Sequence, residues 1–180
     1  NVMMALSAAI ASLGLLLNSP AVIIGAMLVA PLMSTLIGIS LGIVQGDTRL
    51  LWQATGTTSR GVLLAVAVGA TLTLFVPLEN VTAEIVSRTQ PTLMDLMVAI
   101  VSGAAGAYAQ CRRSVLGALA GVAIAVALVP PLASIGIGIT FWRSDIAGGA
   151  TLLFFTNMSA ITAAGSAVFW LFGFRPDPGR

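Results

Sequence analysis

The chain has 180 residues, 58% of them apolar and 8% charged, with no histidine and no lysine. A water-soluble domain carries roughly a quarter charged residues, so this composition excludes a soluble fold and leaves an integral membrane protein in a lipid bilayer. The net charge of +2 is no nucleic-acid signature, because in such a chain the position of each arginine relative to the apolar runs matters more than the sum.

In chain order, six apolar runs approach or reach the ~20 residues needed to cross a bilayer. The first covers about 2–17 and is closed by the turn residues Asn18-Ser19-Pro20. It has no basic leader and no convincing cleavage site, so it reads as a span and not a signal peptide. The chain opens on Asn1, which points to a piece of a longer protein with a soluble segment outside it. The second span, about 20–44, contains Pro31. The third, about 52–76, contains Arg60 and stops at Pro77. The connection that follows holds a short amphipathic stretch, 81-VTAEIVSR-88. Thr92 and Asp95 then have the spacing of a capping box and open a fourth span over about 92–110. After the basic turn 111-CRRS-114, the fifth span runs over about 114–141 with Pro130-Pro131. The sixth runs over about 146–173, behind the turn 142-WRSD-145.

With six spans, one side holds Arg49, Arg112, Arg113, Arg175 and Arg180, and the other holds only Arg88 and Arg143. Arginine-rich short loops stay in the cytoplasm. The expectation is therefore a multi-pass protein of the cell (inner or plasma) membrane with both termini inside. Cys111 can form no internal disulfide, and no metal-ligand pattern surrounds it.

The two halves repeat. At a shift of 100, Leu28, Val29, Pro31, Leu32, Ser34 and Gly38 fall on Leu128, Val129, Pro131, Leu132, Ser134 and Gly138. With a gap of two in the next loop, Asp47 meets Asp145 and Thr58 meets Thr156. Three spans per copy is an odd number, so the second copy enters the membrane from the opposite face. The predicted fold is an all-α integral membrane domain: six transmembrane helices as two inverted three-helix repeats, about 2–76 and 92–173, with proline-broken second and fifth spans. Such repeats build many secondary transporters, whose sites lie near the midplane at broken helices.

Pro31 lies about 17 Å into its span at 1.5 Å per residue. It cannot donate to the Met27 carbonyl, and Pro130-Pro131 do the same to Val126 and Ala127. In hydrocarbon such carbonyls need protein, water or a ligand. These breaks and the nearby polar residues, Pro31, Ser34, Arg60, Pro130, Pro131, Ser134, Thr156 and Asn157, form the candidate substrate or ion site.

The strings 25-GAMLVAPLMSTLIGISLG-42, 102-SGAAGAYA-109, 117-GALAGVAIAVALVPPLASIGIGI-139 and 152-LLFFTNMSAI-161 resemble the hydrophobic-domain family of bacterial and archaeal membrane proteins known as domain of unknown function 389. The resemblance spans nearly the whole chain. It departs at Thr35, where the family usually has a second proline. It implies the membrane class and the two broken spans, with a further soluble domain in some members, and names no substrate.

No histidine and no nucleophile–base pair is present, so an enzyme is not expected. The expected function is a transporter or permease for a small solute or ion, working by alternating access. No cofactor is implied. Freed carbonyls could hold Na⁺ as a coupling ion, and Arg60 could meet an anion. A homo-oligomeric channel is the alternative, and a membrane anchor for a soluble domain is a third class. Self-association is expected in either transport reading.

Overall fold

The computed structural model describes residues 2–76, 81–112 and 128–175. Within them the chain forms eight helices: α1 (Val2–Leu16), α2 (Pro20–Val29), α3 (Leu32–Gln45), α4 (Thr48–Phe75), α5 (Ala83–Ser87), α6 (Leu93–Cys111), α7 (Val129–Thr140) and α8 (Ser144–Leu171).

The boundaries have local causes. The Asp47 carboxylate accepts from the Leu50 N–H at 3.0 Å, so α4 starts four residues earlier than its apolar run. Gly46 ends α3 in the left-handed region at φ 66°, and the Asp47 N–H reaches back to the Gly42 carbonyl at 3.1 Å. Trp142 plays the same part after α7 at φ 55°, with the Arg143 N–H on the Gly138 carbonyl at 2.9 Å. The capping box of Thr92 and Asp95 is formed. The amphipathic stretch condenses into α5, one turn capped by Thr82.

Helices α4, α6 and α8 are long and apolar enough to cross a membrane, and α2 with α3 makes a fourth candidate bent by 50° at its break. Helices α1 and α7, with 15 and 12 residues, reach about 22 and 18 Å at 1.5 Å per residue, short of ~30 Å of hydrocarbon. The described residues thus carry three to four candidate spans where six were expected. The first half of the expected fifth span, with the Val126 and Ala127 carbonyls, lies outside the described residues.

The two proline sites differ. At Ala30-Pro31 the chain leaves the helix; Ser7 donates to the Ala26 carbonyl near the end of α2 at 2.6 Å, and Ser34 and Thr35 donate to the Pro31 and Leu32 carbonyls at the start of α3 at 2.8 Å. Pro130 and Pro131 sit in the first turn of α7, where a missing N–H costs nothing. They begin the described helix, and the break expected ahead of them lies outside the described residues.

Helices α3 and α4 form one hairpin and α7 and α8 another; α4 packs on α7, α3 on α8, α6 on α8, and α1 on α2, α4 and α7. Small residues set these approaches, as in membrane bundles generally. A Cβ on Gly69 would lie 2.9 Å from the Ala133 carbonyl oxygen, and Gly136 abuts the main chain at Val66 and Ala70. Gly103 meets the Ile161 main chain and Gly165 meets the Ser40 hydroxyl. Bulky apolar residues such as Leu63, Leu74, Phe75, Met94 and Leu152 stand exposed on the outside, the surface that acyl chains would cover.

Candidate functional site: a groove between α3, α4 and α8

A groove of about 830 Å³ lies between α3, α4 and α8, within the usual range of small-molecule sites. It is lined by Ile39 and Ile43 of α3, Val62 and Leu63 of α4, and Phe154, Phe155 and Met158 of α8. Its polar groups are hydroxyls, on Thr55, Thr58 and Ser59 of α4 and on Ser159, Thr162 and Ser166 of α8. Among the described residues no ionisable side chain lines it.

Most threonines of α4 and α8 off the groove bond within their own helix, though Thr156 does not. A helical Ser or Thr in an apolar setting commonly donates to the carbonyl four residues back. Thr57, Thr71, Thr73 and Thr151 do so on the same two elements, away from the groove, at 2.6–2.8 Å. In the groove only Thr58 does, to Ala54 at 2.9 Å, while its oxygen also lies 2.9 Å from Thr35. Ser166 donates across to the Ser40 carbonyl at 3.3 Å. Thr55, Ser59, Ser159 and Thr162 line the groove and have no side-chain hydrogen bond among the described residues.

The residues singled out from sequence are dispersed. Pro31 and Ser34 are exposed, whereas Pro130, Pro131 and Ser134 are buried. The Ser134 hydroxyl and the Asn157 Oδ1, in residues 0% and 4% exposed, have no hydrogen-bond partner among the described residues. Thr156 is half-buried. Arg60 is exposed on another face of α4, in a separate depression of about 490 Å³ with Trp52, Gln53, Gly56 and Thr57. None of these eight residues lines the groove.

Both α4 and α8 have 28 residues, and a shift of 96 carries Thr48 onto Ser144 and Phe75 onto Leu171. Thr58 then corresponds to Phe154, and Asn157 to Gly61. From its proline to the left-handed residue of its turn, α7 is about one helical turn shorter than α3, Pro131 to Trp142 against Pro31 to Gly46. Of the groove hydroxyls, those of Thr55, Ser159, Thr162 and Ser166 were missed, although Thr55 and Ser59, and Thr162 and Ser166, stand four apart, the spacing of one helix face.

Fold and groove together define an all-helical protein, rich in helices able to span a membrane, with an uncharged cleft among them. The chain belongs to the family described as domain of unknown function 389 (DUF389), whose model matches residues 27–163, from the end of α2 to the groove wall on α8. It is also similar to the uncharacterized protein MJ0678 of Methanocaldococcus jannaschii, at 28% identity over 174 residues, covering 97% of this chain and 54% of that protein. The chain therefore spans about half the length of this curated relative. No solved structure matches it.

Proposed function

We propose that the protein is a membrane transporter or permease for a small solute, built from two oppositely inserted three-helix repeats and working by alternating access. One observation carries this reading: the contacts of one hairpin recur in the other. Ser40 meets the Thr162 carbonyl and Gly165, while Gly136 meets the Val66 carbonyl and Gly69. The shift of 96 exchanges these two sets. It also exchanges Thr58, Ser59, Val62 and Leu63 with Phe154, Phe155, Met158 and Ser159, all in the groove. The groove thus straddles the axis relating the halves.

The hairpins are read as pointing in opposite directions. Ser166, near the end of α8, bonds Ser40, near the α3–α4 turn, and Tyr108 at the end of α6 packs edge-to-face on Phe172 with ring centroids 5.7 Å apart. At the other end, Gly149 near the α7–α8 turn abuts Thr89, and Thr82 bonds Leu15 at the end of α1. Charge follows the same division. Arg88 and Arg143 are paired with Glu84 and Asp145 at 3.4 and 2.7 Å, and the Asp145 hydrogen bonds raise the Arg143 pKa above its ordinary value. Arg49, Arg112 and Arg175, on the first side, have no ion pair among the described residues. The arginine count itself, five on the first side against two on the other, supports the first side as cytoplasmic, with both termini inside.

The two joints are alike but not equal, as alternating access requires. Between α4 and α7 main chain meets main chain, whereas between α3 and α8 the Ser40 hydroxyl intervenes. The groove opens beside the looser joint. Proteoliposome flux tests the reading: saturable, solute-dependent uptake supports a carrier, and its dependence on Na⁺ tests ion coupling. Ohmic single-channel currents would instead favour a homo-oligomeric channel. That second reading draws on the exposed Arg60, Gln53 and Thr57, a polar face that further copies could cover. Silence in both assays leaves an anchor.

A further inference from the structure

We propose that the groove between α3, α4 and α8 takes an uncharged, largely apolar molecule bearing a hydroxyl or carbonyl oxygen, admitted sideways from the bilayer. The assignment names a substrate class for the same groove, and it rests on the transporter reading only for the step from binding to passage.

Three observations converge. The walls present Ile39, Val62, Phe154 and Met158 and no ionisable group among the described residues. An ion stripped of water there would meet no counter-charge, and charge at membrane depth is strongly disfavoured. Arg60, the one guanidinium along α4 at comparable depth, belongs to a different depression and cannot serve as that counter-charge.

Second, Thr55, Ser59, Ser159 and Thr162 keep their hydroxyls off the neighbouring carbonyls, although five threonines of α4 and α8 bond theirs. Hydrocarbon offers them nothing to bond. Each can both donate and accept, so together they match a neutral oxygen function. A bare alkyl chain would leave them unmatched. Third, Ser59, Leu63, Phe155 and Ser159 on the rim are exposed, so the mouth faces the side of the bundle that also exposes Leu152. A guest dissolved in the bilayer reaches it without crossing water.

The test uses the full chain in phosphatidylcholine nanodiscs and two photoreactive probes, a diazirine-bearing long-chain alcohol and the matching carboxylate at pH 8. The alcohol should label α4 and α8 saturably, and unlabelled alcohol should compete where the carboxylate does not. The S59A/S159A double variant should weaken apparent affinity by roughly tenfold, the factor carried by about 1.4 kcal/mol. Leu63→Trp, which fills the mouth from an exposed position, should remove saturable labelling while helicity and melting stay unchanged. Arg60→Gln should label like the parent. The proposal is overturned by equal competition from the carboxylate, by labelling that persists unchanged in L63W, or by Leu63→Cys chains cross-linking to each other through the groove. Saturable labelling without flux of any solute keeps the site and removes the transporter. Flux of a charged solute without labelling removes the site and leaves the transporter.

Discussion

Gly69 of α4 and Ala133 of α7 meet main chain to main chain, so closely that a Cβ on Gly69 would sit 2.9 Å from the Ala133 carbonyl oxygen. Neither atom is the movable end of a side chain. Gly69→Val should therefore force α4 and α7 apart and cost about 1–3 kcal/mol, the usual range for overpacking. Gly56 has nothing within 4 Å of its own added Cβ. Gly56→Ala should hold or raise stability by up to about 1 kcal/mol through helix propensity. Unfolding of both variants in one detergent separates close packing from a general intolerance of larger residues.

Ser7 tests how the bend at Pro31 is made tolerable. Its hydroxyl donates to the Ala26 carbonyl at 2.6 Å, a group just ahead of the break. Ser7→Ala should destabilise by about 1 kcal/mol, the scale of an interhelical hydrogen bond in a membrane. Ser12 donates only within its own helix, to Ala8. Ser12→Ala should therefore have a smaller effect, and an equal loss in both variants would count against the bridging role of Ser7.

How much of this was legible beforehand divides by range. Local signals read correctly: Thr92 and Asp95 form the capping box, Asn18-Ser19-Pro20 turns the chain, and the chain leaves the helix at Pro31. The apolar run alone does not show Asp47 as a cap; with the helix starting at Thr48, four residues before that run, Arg60 lies about 18 Å along it at 1.5 Å per residue. The groove was not legible because it depends on how α3, α4 and α8 approach one another. That approach is set by pairs such as Ser40 with Gly165, distant in sequence. Likewise Gly46 and Trp142 share a left-handed backbone but no chemistry, so a comparison of residue types does not pair the two turns.

The capping box allows a sharper stability test. The Thr92 hydroxyl accepts from the Asp95 N–H at 3.2 Å, and the Asp95 carboxylate accepts from the Thr92 N–H at 2.9 Å. Thr92→Ala and Asp95→Ala should each cost about 1 kcal/mol. Because the Thr92 hydroxyl also donates to the Asp95 carboxylate at 2.7 Å, each single change already removes that shared bond, and the double variant should cost clearly less than the two losses combined. Additive losses would mean that the two residues act independently.

Opposite insertion of the two hairpins makes the most consequential prediction, because the transporter reading fails without it. Thr48 opens α4 just after Gly46, and Ser144 opens α8 just after Trp142; both are exposed. If the hairpins point opposite ways, cysteines at these positions must lie on opposite membrane faces. On a Cys111→Ser background, Ser144→Cys should react with an impermeant maleimide in intact cells, and Thr48→Cys only after permeabilisation. The reverse pattern would preserve the inverted arrangement and flip the orientation inferred from Arg49, Arg112 and Arg175. Labelling of both from one side would place the two turns on the same face. The recurrence of Ser40–Gly165 and Gly136–Gly69 would then describe two like-oriented hairpins, which cannot exchange roles across a bilayer.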